Sequence, residues 1–528
     1  MSVAPDQGNS EVVRPATHPA DPEQAAEQRT SGWQWWPLVA VCLVDLMLLG
    51  DVGLVTVALP KVQAEFHAQL SGLQWVTNIY SMALAAFLLT AGTAADRWGR
   101  KPLLLCGLGI FLLAQLGNGL APSTGFLIGT RLLEGVAAAL MFSVSLVVLS
   151  ETYRGRTKGV AFGVWGALTG SSIALGPIVG GILVESAGWR WVFLIQLPVC
   201  LVTIAIVALG VPRTPPVGVR ADWAGTVLFS IMLGLFVYTL VRGKDAGWTS
   251  APTLAPAVAT VVLFVIFVAV ERRVREPMLD LSRFRIPAFS GAQVAAFTLG
   301  ATHLALLMYL SLYLQGVLQY DALQAGMRLL PMNALTVLAA LSTGRLVGRI
   351  GPRWPVAIGL ALTGAGILLL RSVAPGSEWT TLLAGFVLIG FGGGMINPML
   401  GALAMSVVTR RRAGMGSGIS YTFRQLGIAT GVAVNGAVFG AVINARLDEQ
   451  LPGGSSHVAD AVASGAIRPL LASVPEAEQQ PAVAAAAYSA FVAGLNGIFL
   501  VGGIVALVGA ALVVVLVRPT NQQDGAPR

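Results

Sequence analysis

The sequence predicts an all-α integral membrane protein with fourteen transmembrane helices, arranged as two six-helix halves related by pseudo-twofold symmetry plus an inserted helix pair. Of the 528 residues, 55% are hydrophobic and only 11% are charged, too few charges to cover the surface of a soluble protein of this length. The apolar residues form runs of about 20, the length of a helix that crosses a bilayer. Short basic clusters separate these runs, and one of the clusters recurs in the second part of the chain.

Fourteen apolar segments follow one another along the chain. Residues 1–36 come first; they are polar and rich in Pro, Glu, Gln and Ala, which predicts a disordered tail rather than a signal peptide. The predicted spans then lie near 37–57, 74–95, 102–121, 126–150, 159–184, 191–211, 223–242, 253–270, 288–315, 323–347, 354–374, 380–408, 419–443 and 488–517.

The spans divide into an N-terminal half (37–211), an inserted pair (223–270) and a C-terminal half (288–517), followed by a tail at 518–528. One long external loop is expected at 444–487, where the composition favours an amphipathic surface element.

The distribution of positive charge predicts the orientation. With the N-terminus inside, 23 of the 33 Lys and Arg residues lie on the cytoplasmic side, seven lie outside and three lie within spans. Such an excess on one side is typical of cytoplasmic loops. We therefore expect both termini in the cytoplasm and an even number of spans in the plasma or inner membrane. The scattered bases do not form a nucleic-acid-binding face.

An internal repeat supports the two halves. "GTAADRWGRK" (Gly92–Lys101) matches "GRLVGRIGPR" (Gly344–Arg353) at an offset of 252 residues. Both copies join an inward-running span to the next span on the predicted cytoplasmic side. Repeated halves are typical of transporters with a central site between them.

Several motifs resemble those of the major facilitator superfamily. "GTAADRWGRK" is similar to its loop signature, "RLLEGVAAA" (Arg131–Ala139) to its fourth-span arginine motif, and "LGPIVGG" to its fifth-span antiporter motif. Three further segments resemble the fourteen-span drug:proton antiporter branch: "GDVGLVTVALP" (Gly50–Pro60), "GWRWVFLIQLPV" (Gly188–Val199) and "GMGSGISYTFRQLGIATGVAV" (Gly414–Val434).

The resemblance implies a proton-coupled multidrug or antibiotic efflux transporter that exports amphiphilic small molecules by alternating access. The sequence leaves open an exporter of one natural product and, as a third class, a non-transporting membrane sensor. No G-x-x-x-x-G-K-[ST] phosphate loop is present, so we expect neither enzymatic activity nor a cofactor, and transport driven by a proton gradient. The expected partners are the substrate, protons and membrane lipid, with no nucleic acid, and the chain is expected to be a monomer.

Ionisable residues inside predicted spans are candidates for proton coupling or substrate binding, because burying charge in a membrane is costly. The acids are Asp51, Asp45 and Glu134. Asp51 corresponds to the first-span aspartate of the resembling branch, whereas Asp45 lies about 120° away around the helix and is more easily explained as structural. Arg131 and Glu134 are three residues apart on one helical face, and Glu134 stands where the family often has glutamine.

Two further candidates are weaker. Arg424 in the thirteenth span is interpreted as a structural or cavity-lining group on the resemblance. His303 in the ninth span is a lone histidine, which is more often a packing residue than a functional one. The three cysteines lack metal-ligand spacing, and no metal site is expected.

Two motifs are interpreted as mechanical. The resemblance implies a cytoplasmic gate, in which an Asp96 carboxylate latches to a neighbouring helix; this motif comprises Gly92, Asp96, Arg97, Gly99, Arg100 and Lys101. The fifth-span motif combines small residues, which allow close helix packing, with a helix-breaking proline. It is predicted to bend the span and to pack it against its counterpart in the other half, through Gly176, Pro177, Gly180 and Gly181.

Overall fold

The computed structural model describes residues 35–67, 70–153, 155–213, 222–247, 249–274, 277, 279–320, 322–406, 413–450, 456–465, 467–472 and 480–517. These residues are helical almost throughout, and they contain no strand. The N-terminal half consists of α1 (Trp36–Phe66), α2 (Leu70–Trp98), α3 (Arg100–Gly119), α4 (Thr124–Thr152), α5 (Gly155–Ser186) and α6 (Trp191–Gly210).

The remaining helices follow in order. The inserted pair is α7 (Trp223–Ala246) and α8 (Ala251–Glu271). The C-terminal half consists of α9 (Pro287–Val317), α10 (Ala322–Ile350), α11 (Arg353–Leu369), α12 (Leu383–Ser406), α13 (Ala413–Gln450), the short α14 (Ser456–Ala463) and α15 (Ile467–Ala472), and α16 (Gln480–Leu516).

Each of the fourteen predicted spans falls on one of the long helices. In the described part of the chain, eleven helices are long and apolar enough to cross a membrane, namely α1, α3, α4, α6, α8–α13 and α16. Helices α2 and α7 contain shorter apolar segments, Trp75–Leu88 and Ala224–Leu240. The all-helical, multiply spanning architecture is therefore present, while the total of fourteen spans stays a prediction.

The segment predicted as a long external loop is largely helical. Helix α13 extends to Gln450, α14 and α15 follow, and α16 begins at Gln480. Val462 of α14 and Leu470 of α15 are buried in the apolar core of the C-terminal half. These helices lie within the segment where an amphipathic surface element was expected, and the external position of 444–487 stays a prediction.

The pattern of helix contacts is similar in the two halves. Helix α4 packs against α2 and α3, and α12 packs against α10 and α11. Across the middle of the molecule, α5 packs along α10 and α2 packs along α13. The second helix of each half thus contacts the fifth helix of the other half, as expected for two halves that face each other. The pseudo-twofold symmetry itself stays a prediction.

The repeated basic motif makes the same contact in both halves. Lys101 Nζ donates a 2.7 Å hydrogen bond to the carbonyl of Ala208, near the end of α6. Arg353, its counterpart at the repeat offset, donates a 2.8 Å bond to the carbonyl of Val514, near the end of α16. A cation at a helix C-terminus satisfies free carbonyls and complements the helix dipole. In each half, a hydrogen bond thus joins the third long helix to the last one.

Candidate functional site

Three charged side chains meet inside the N-terminal half. Arg131 on α4 is 1% exposed, and Asp51 on α1 and Glu134 on α4 are fully buried. Arg131 Nη1 lies 2.5 Å from Asp51 Oδ2 and 2.7 Å from Glu134 Oε2. One guanidinium nitrogen therefore binds both carboxylates. We call Asp51, Arg131 and Glu134 the acid–arginine cluster.

Amide side chains hold the carboxylates from the other side. Gln196 on α6 donates a 2.9 Å hydrogen bond to Asp51 Oδ1. Asn118 on α3 donates to Glu134 Oε2 at 2.6 Å, and Gln115 donates to Glu134 Oε1 at 3.3 Å. These amide donors give the buried carboxylate oxygens hydrogen-bond partners inside the protein. Buried charges need this degree of hydrogen bonding to persist away from water.

Helix α2 positions the arginine. Arg131 Nε donates a 3.2 Å hydrogen bond to the carbonyl of Val76, and the guanidinium carbon lies 4.6 Å from the centre of the Tyr80 ring. The Tyr80 hydroxyl in turn donates to the carbonyl of Leu48 on α1 at 3.1 Å. The cluster and its partners thereby connect α1, α2, α3, α4 and α6.

The charges of the cluster do not balance. Two acids face one arginine, so the fully ionised cluster carries one excess negative charge. Isolated buried charge is strongly unfavourable, and one bound proton would make the cluster neutral. The cluster therefore holds one carboxyl group more than its single arginine can neutralise.

Sequence reasoning found the charged residues but missed the amides. Gln115 and Asn118 stand three residues apart in an otherwise apolar span, a spacing that places them on one helical face. Gln196 lies within the "GWRWVFLIQLPV" segment. That segment was considered only for its resemblance to the family, and the amide of Gln196 was not considered as a hydrogen-bond donor. Buried amides in apolar spans were the signal that would have identified all three.

Asp45 lies apart from the acid–arginine cluster. It is fully buried on α1 and lies within electrostatic range of Tyr421 and Arg424 on α13. Asp45 and Asp51 thus have different neighbours, and which of them has a functional role stays a prediction. Arg424 is 6% exposed, and His303 packs near it within a π-helical turn of α9, Gly300–Leu304.

The predicted gate motif joins α2 to α3. Gly99 has φ of +89°, a conformation that favours glycine, and it precedes the first residue of α3. Arg100 Nη2 lies 3.0 Å from Glu151 Oε1 at the end of α4, and Lys101 bonds the end of α6. These two bases therefore contact helices of their own half.

The remaining gate residues add less. Gly92 is buried and Arg97 is half-buried near the end of α2. The side chain of Asp96, on which the latch depends, lies outside the described residues. The gate role of the motif thus stays a prediction.

The fifth-span motif packs closely, but not where it was predicted to pack. A Cβ added at Gly176 would lie 2.5 Å from the carbonyl oxygen of Gly50, and one at Gly180 would lie 3.1 Å from Leu54 Cα. Both contacts are with α1 of the same half. A Cβ at Gly181 would have nothing within 4 Å. The expectation of contact with the other half was wrong, because the glycines line the α1 face of α5.

Helix α5 was predicted to bend at the fifth-span motif. It is helical without interruption from Gly155 to Ser186, through the position of Pro177; the Pro177 side chain is outside the described residues. Its contact with the other half lies nearer the helix start, where a Cβ added at Gly163 would be 3.2 Å from the carbonyl oxygen of Ala340 on α10. Small residues thus do allow close approach between the halves, but at Gly163 rather than at the predicted motif that begins at Gly176.

An exposed polar contact ties the far ends of α1 and α6. Arg190 Nη2 lies 2.7 Å from Glu65 Oε1, and Trp189 Nε1 donates a 2.7 Å hydrogen bond to Glu65 Oε2. The hydrogen bonds from Arg190, and then from Trp189, lower the pKa of Glu65 below its ordinary value. This contact accounts for the polar residues of the "GWRW" segment.

No group of three or more His, Cys, Asp or Glu side chains among the described residues is placed to hold a metal ion. The fold and the buried charges instead define a multi-pass helical membrane protein with an internal polar centre.

Comparison with known proteins places this architecture in a family. The family model described as "Major Facilitator Superfamily" matches residues 41–432. The chain belongs to the major facilitator superfamily, a family of transport proteins rather than enzymes.

Relatives and a solved structure agree with this assignment. The chain is 30% identical over 523 residues to the tetracenomycin C resistance and export protein of Streptomyces glaucescens, covering 96% of each chain. It is 33% identical over 416 residues to the multidrug resistance protein Stp of Mycobacterium tuberculosis, covering 78% of this chain and 77% of that protein. The proton:xylose symporter XylE is similar in fold alone, with a TM-score of 0.57 at 11% identity over 91% of this chain and 95% of that one.

Proposed function

We propose that the chain is a proton-coupled exporter of amphiphilic antibiotics or drugs. The observation that carries this proposal is the acid–arginine cluster, in which Arg131 Nη1 binds both Asp51 and Glu134 away from water. The resistance and export functions named for the relatives supply the direction of transport and the class of substrate.

The excess charge of the cluster supports coupling to one proton. Asp51 and Glu134 share one cation, so the cluster is neutral when a single proton is bound and negative when none is. Each proton that crosses with the membrane potential supplies about 2.3 kcal/mol per 100 mV. Proton binding on the outside and release on the inside would drive the halves between two states.

The contacts between halves suggest where that motion occurs. The proposed rocking takes place along α5–α10 and α2–α13, where the two halves meet. We place both termini in the cytoplasm, on the predicted charge distribution, and we propose a monomer in the cell membrane, surrounded by lipid. The motif around Gly99 then lies at the inner gate.

A narrower function is the second candidate. The relative that matches 96% of this chain is named for resistance to, and export of, one antibiotic, tetracenomycin C. An exporter of a single natural product would share the cluster and its coupling. It would differ only in the breadth of substrates that compete for export.

Everted membrane vesicles test the coupling. We expect an imposed inward-acidic pH gradient to drive uptake of rhodamine 6G, and a protonophore to abolish it. Asp51→Asn leaves Arg131 and Glu134 as a neutral pair, so it should remove the gradient-driven component. The matched control is Glu65→Gln, which removes an exposed carboxylate on α1 and should leave coupling intact.

Two results would contradict the proposal. Uptake that persists unchanged in Asp51→Asn would show that the cluster does not bind the coupling proton. Uptake driven by a sodium gradient without a pH gradient would replace the proton as the coupling ion. Competition by a panel of unrelated antibiotics then separates a multidrug exporter from an exporter of one compound.

A further inference from the structure

A second polar group lies between the halves, separate from the acid–arginine cluster. On α13, Arg424 lies three residues after Tyr421 and four after Ser420, spacings that place each of them beside Arg424 on the helix surface. All three are at most 6% exposed. Tyr421 contacts the N-terminal half directly, since its ring centre lies 5.0 Å from that of Phe142 on α4.

The guanidinium of Arg424 is not engaged in a hydrogen bond or a close ion pair with any residue in the described ranges. The guanidinium carbon lies 5.8 Å from the centre of the Tyr421 ring, and the nearest acid in electrostatic range is Asp45. Arg131, another buried arginine, by contrast binds Asp51, Glu134 and the carbonyl of Val76. Buried guanidinium groups are rarely left without an acceptor.

The donors around Arg424 are also unsatisfied. The hydroxyls of Ser420 and Tyr421 are buried without a hydrogen-bond partner among the described residues, as is Nδ1 of His303 on α9. His303 lies on the π-helical turn Gly300–Leu304, a local irregularity that is frequent at functional sites. Several groups able to donate hydrogen bonds are thus buried near Arg424 with no acceptor among the described residues.

We propose that this group, Ser420, Tyr421, Arg424 and His303, binds an anionic oxygen of the exported molecule, a carboxylate or phenolate carried on an aromatic ring. The guanidinium and hydroxyls supply donors that an oxygen anion requires, and the rings of Phe142 and Tyr421, tilted by 58° to each other, supply apolar contacts beside them. The inference rests on the proposed export function and names its substrate class.

Asp45 is expected to affect anion binding at this site in the direction opposite to Arg424. It lies within electrostatic range of Arg424 on the other half, so its negative charge opposes an arriving anion. Removing that charge should strengthen anion binding, whereas removing Arg424 should weaken it. A purely structural role for these residues does not predict opposite signs.

Two dyes on one xanthene scaffold test the inference. Fluorescein is an aromatic carboxylate and phenolate, and rhodamine 6G is a cation of similar shape. Binding is measured by equilibrium dialysis with purified protein in detergent, without a gradient, so that the result does not depend on coupling. Export is measured separately in everted vesicles.

We expect Arg424→Gln to weaken fluorescein binding about tenfold or more, as expected for loss of a charged hydrogen-bond donor, and to leave rhodamine 6G binding within about twofold. Arg424→Lys should retain part of the fluorescein affinity, and Asp45→Asn should raise it. Retained rhodamine 6G binding shows that a variant is folded.

Three results would overturn the inference: wild-type protein that binds rhodamine 6G but not fluorescein, Arg424→Gln that binds fluorescein normally, or a loss of both dyes in every Arg424 variant including Arg424→Lys. Fluorescein that binds as expected, with neither dye exported under a pH gradient, would instead contradict the proposed export function and leave the site intact.

Discussion

Arg131→Met is the perturbation that most directly tests the charge balance of the cluster. Methionine has a similar length but no charge, so Asp51 and Glu134 would face each other without the nitrogen that binds both at 2.5 and 2.7 Å. Removing one partner of a buried ion pair typically costs about 3–5 kcal/mol. Protonation limits this cost, because neutralising one carboxyl of ordinary pKa near 4 requires about 4 kcal/mol at pH 7.

Both values predict a loss of about 4 kcal/mol in the free energy of unfolding at pH 7. The loss should shrink by about 1.4 kcal/mol for each unit that the pH is lowered, since protonation then becomes easier. Unfolding is followed by tryptophan fluorescence during titration with dodecyl sulfate in mixed micelles, at pH 5 and pH 7.

A neutral triple variant provides the control. Arg131→Met combined with Asp51→Asn and Glu134→Gln leaves no charge in the acid–arginine cluster, and we expect it to recover most of the lost stability. Arg131→Met that is as stable as wild type would refute the reasoning. So would a triple variant no more stable than the single one, because the destabilisation would then come from packing.

Three further predictions concern the ties between helices. Gly176→Ala should lower the midpoint of thermal unfolding in detergent, because its Cβ would meet the Gly50 carbonyl at 2.5 Å, whereas Gly181→Ala, with nothing within 4 Å, should leave it unchanged; equal effects would contradict the packing described. Lys101→Met should speed hydrogen exchange in the last turn of α6 by removing the 2.7 Å bond to it, and unaltered exchange there would show that the bond is not formed. The pKa of Glu65 is lowered, so the stabilisation from its contact with Arg190 should be complete above the ordinary carboxyl pKa and be lost as the pH falls through the lowered value. The effect should be below about 1 kcal/mol because the pair is exposed. Hydrogen exchange at 188–190 that does not respond to pH, or that responds equally in Glu65→Gln, would contradict this.

Apolar run length, basic clusters and the repeat predicted much of the fold. Helix positions follow from these features because a bilayer leaves few alternatives to a continuous apolar helix. Helix ends outside the membrane have no such constraint, which is why the extension of α13 to Gln450 and the start of α16 at Gln480 were missed.

The site was predictable in its charges and not in its geometry. Asp51, Arg131 and Glu134 stand out because charge is rare in these spans. That Asp51 and Glu134 would share one nitrogen of Arg131 depends on the rotation of α1 against α4, which no local pattern determines. The same limit explains the error over Gly176, since a small-residue stripe specifies close packing without specifying the partner.

The two basic ties, Lys101 to α6 and Arg353 to α16, also bear on how the molecule can deform. A half whose third and last long helices are joined by a hydrogen bond resists sliding of its helices past one another. Strain applied by a solute or an ion should then accumulate along the seam where α5 meets α10, lined by Gly163, rather than disperse within either bundle. We expect a larger side chain at Gly163 to slow turnover without altering substrate affinity.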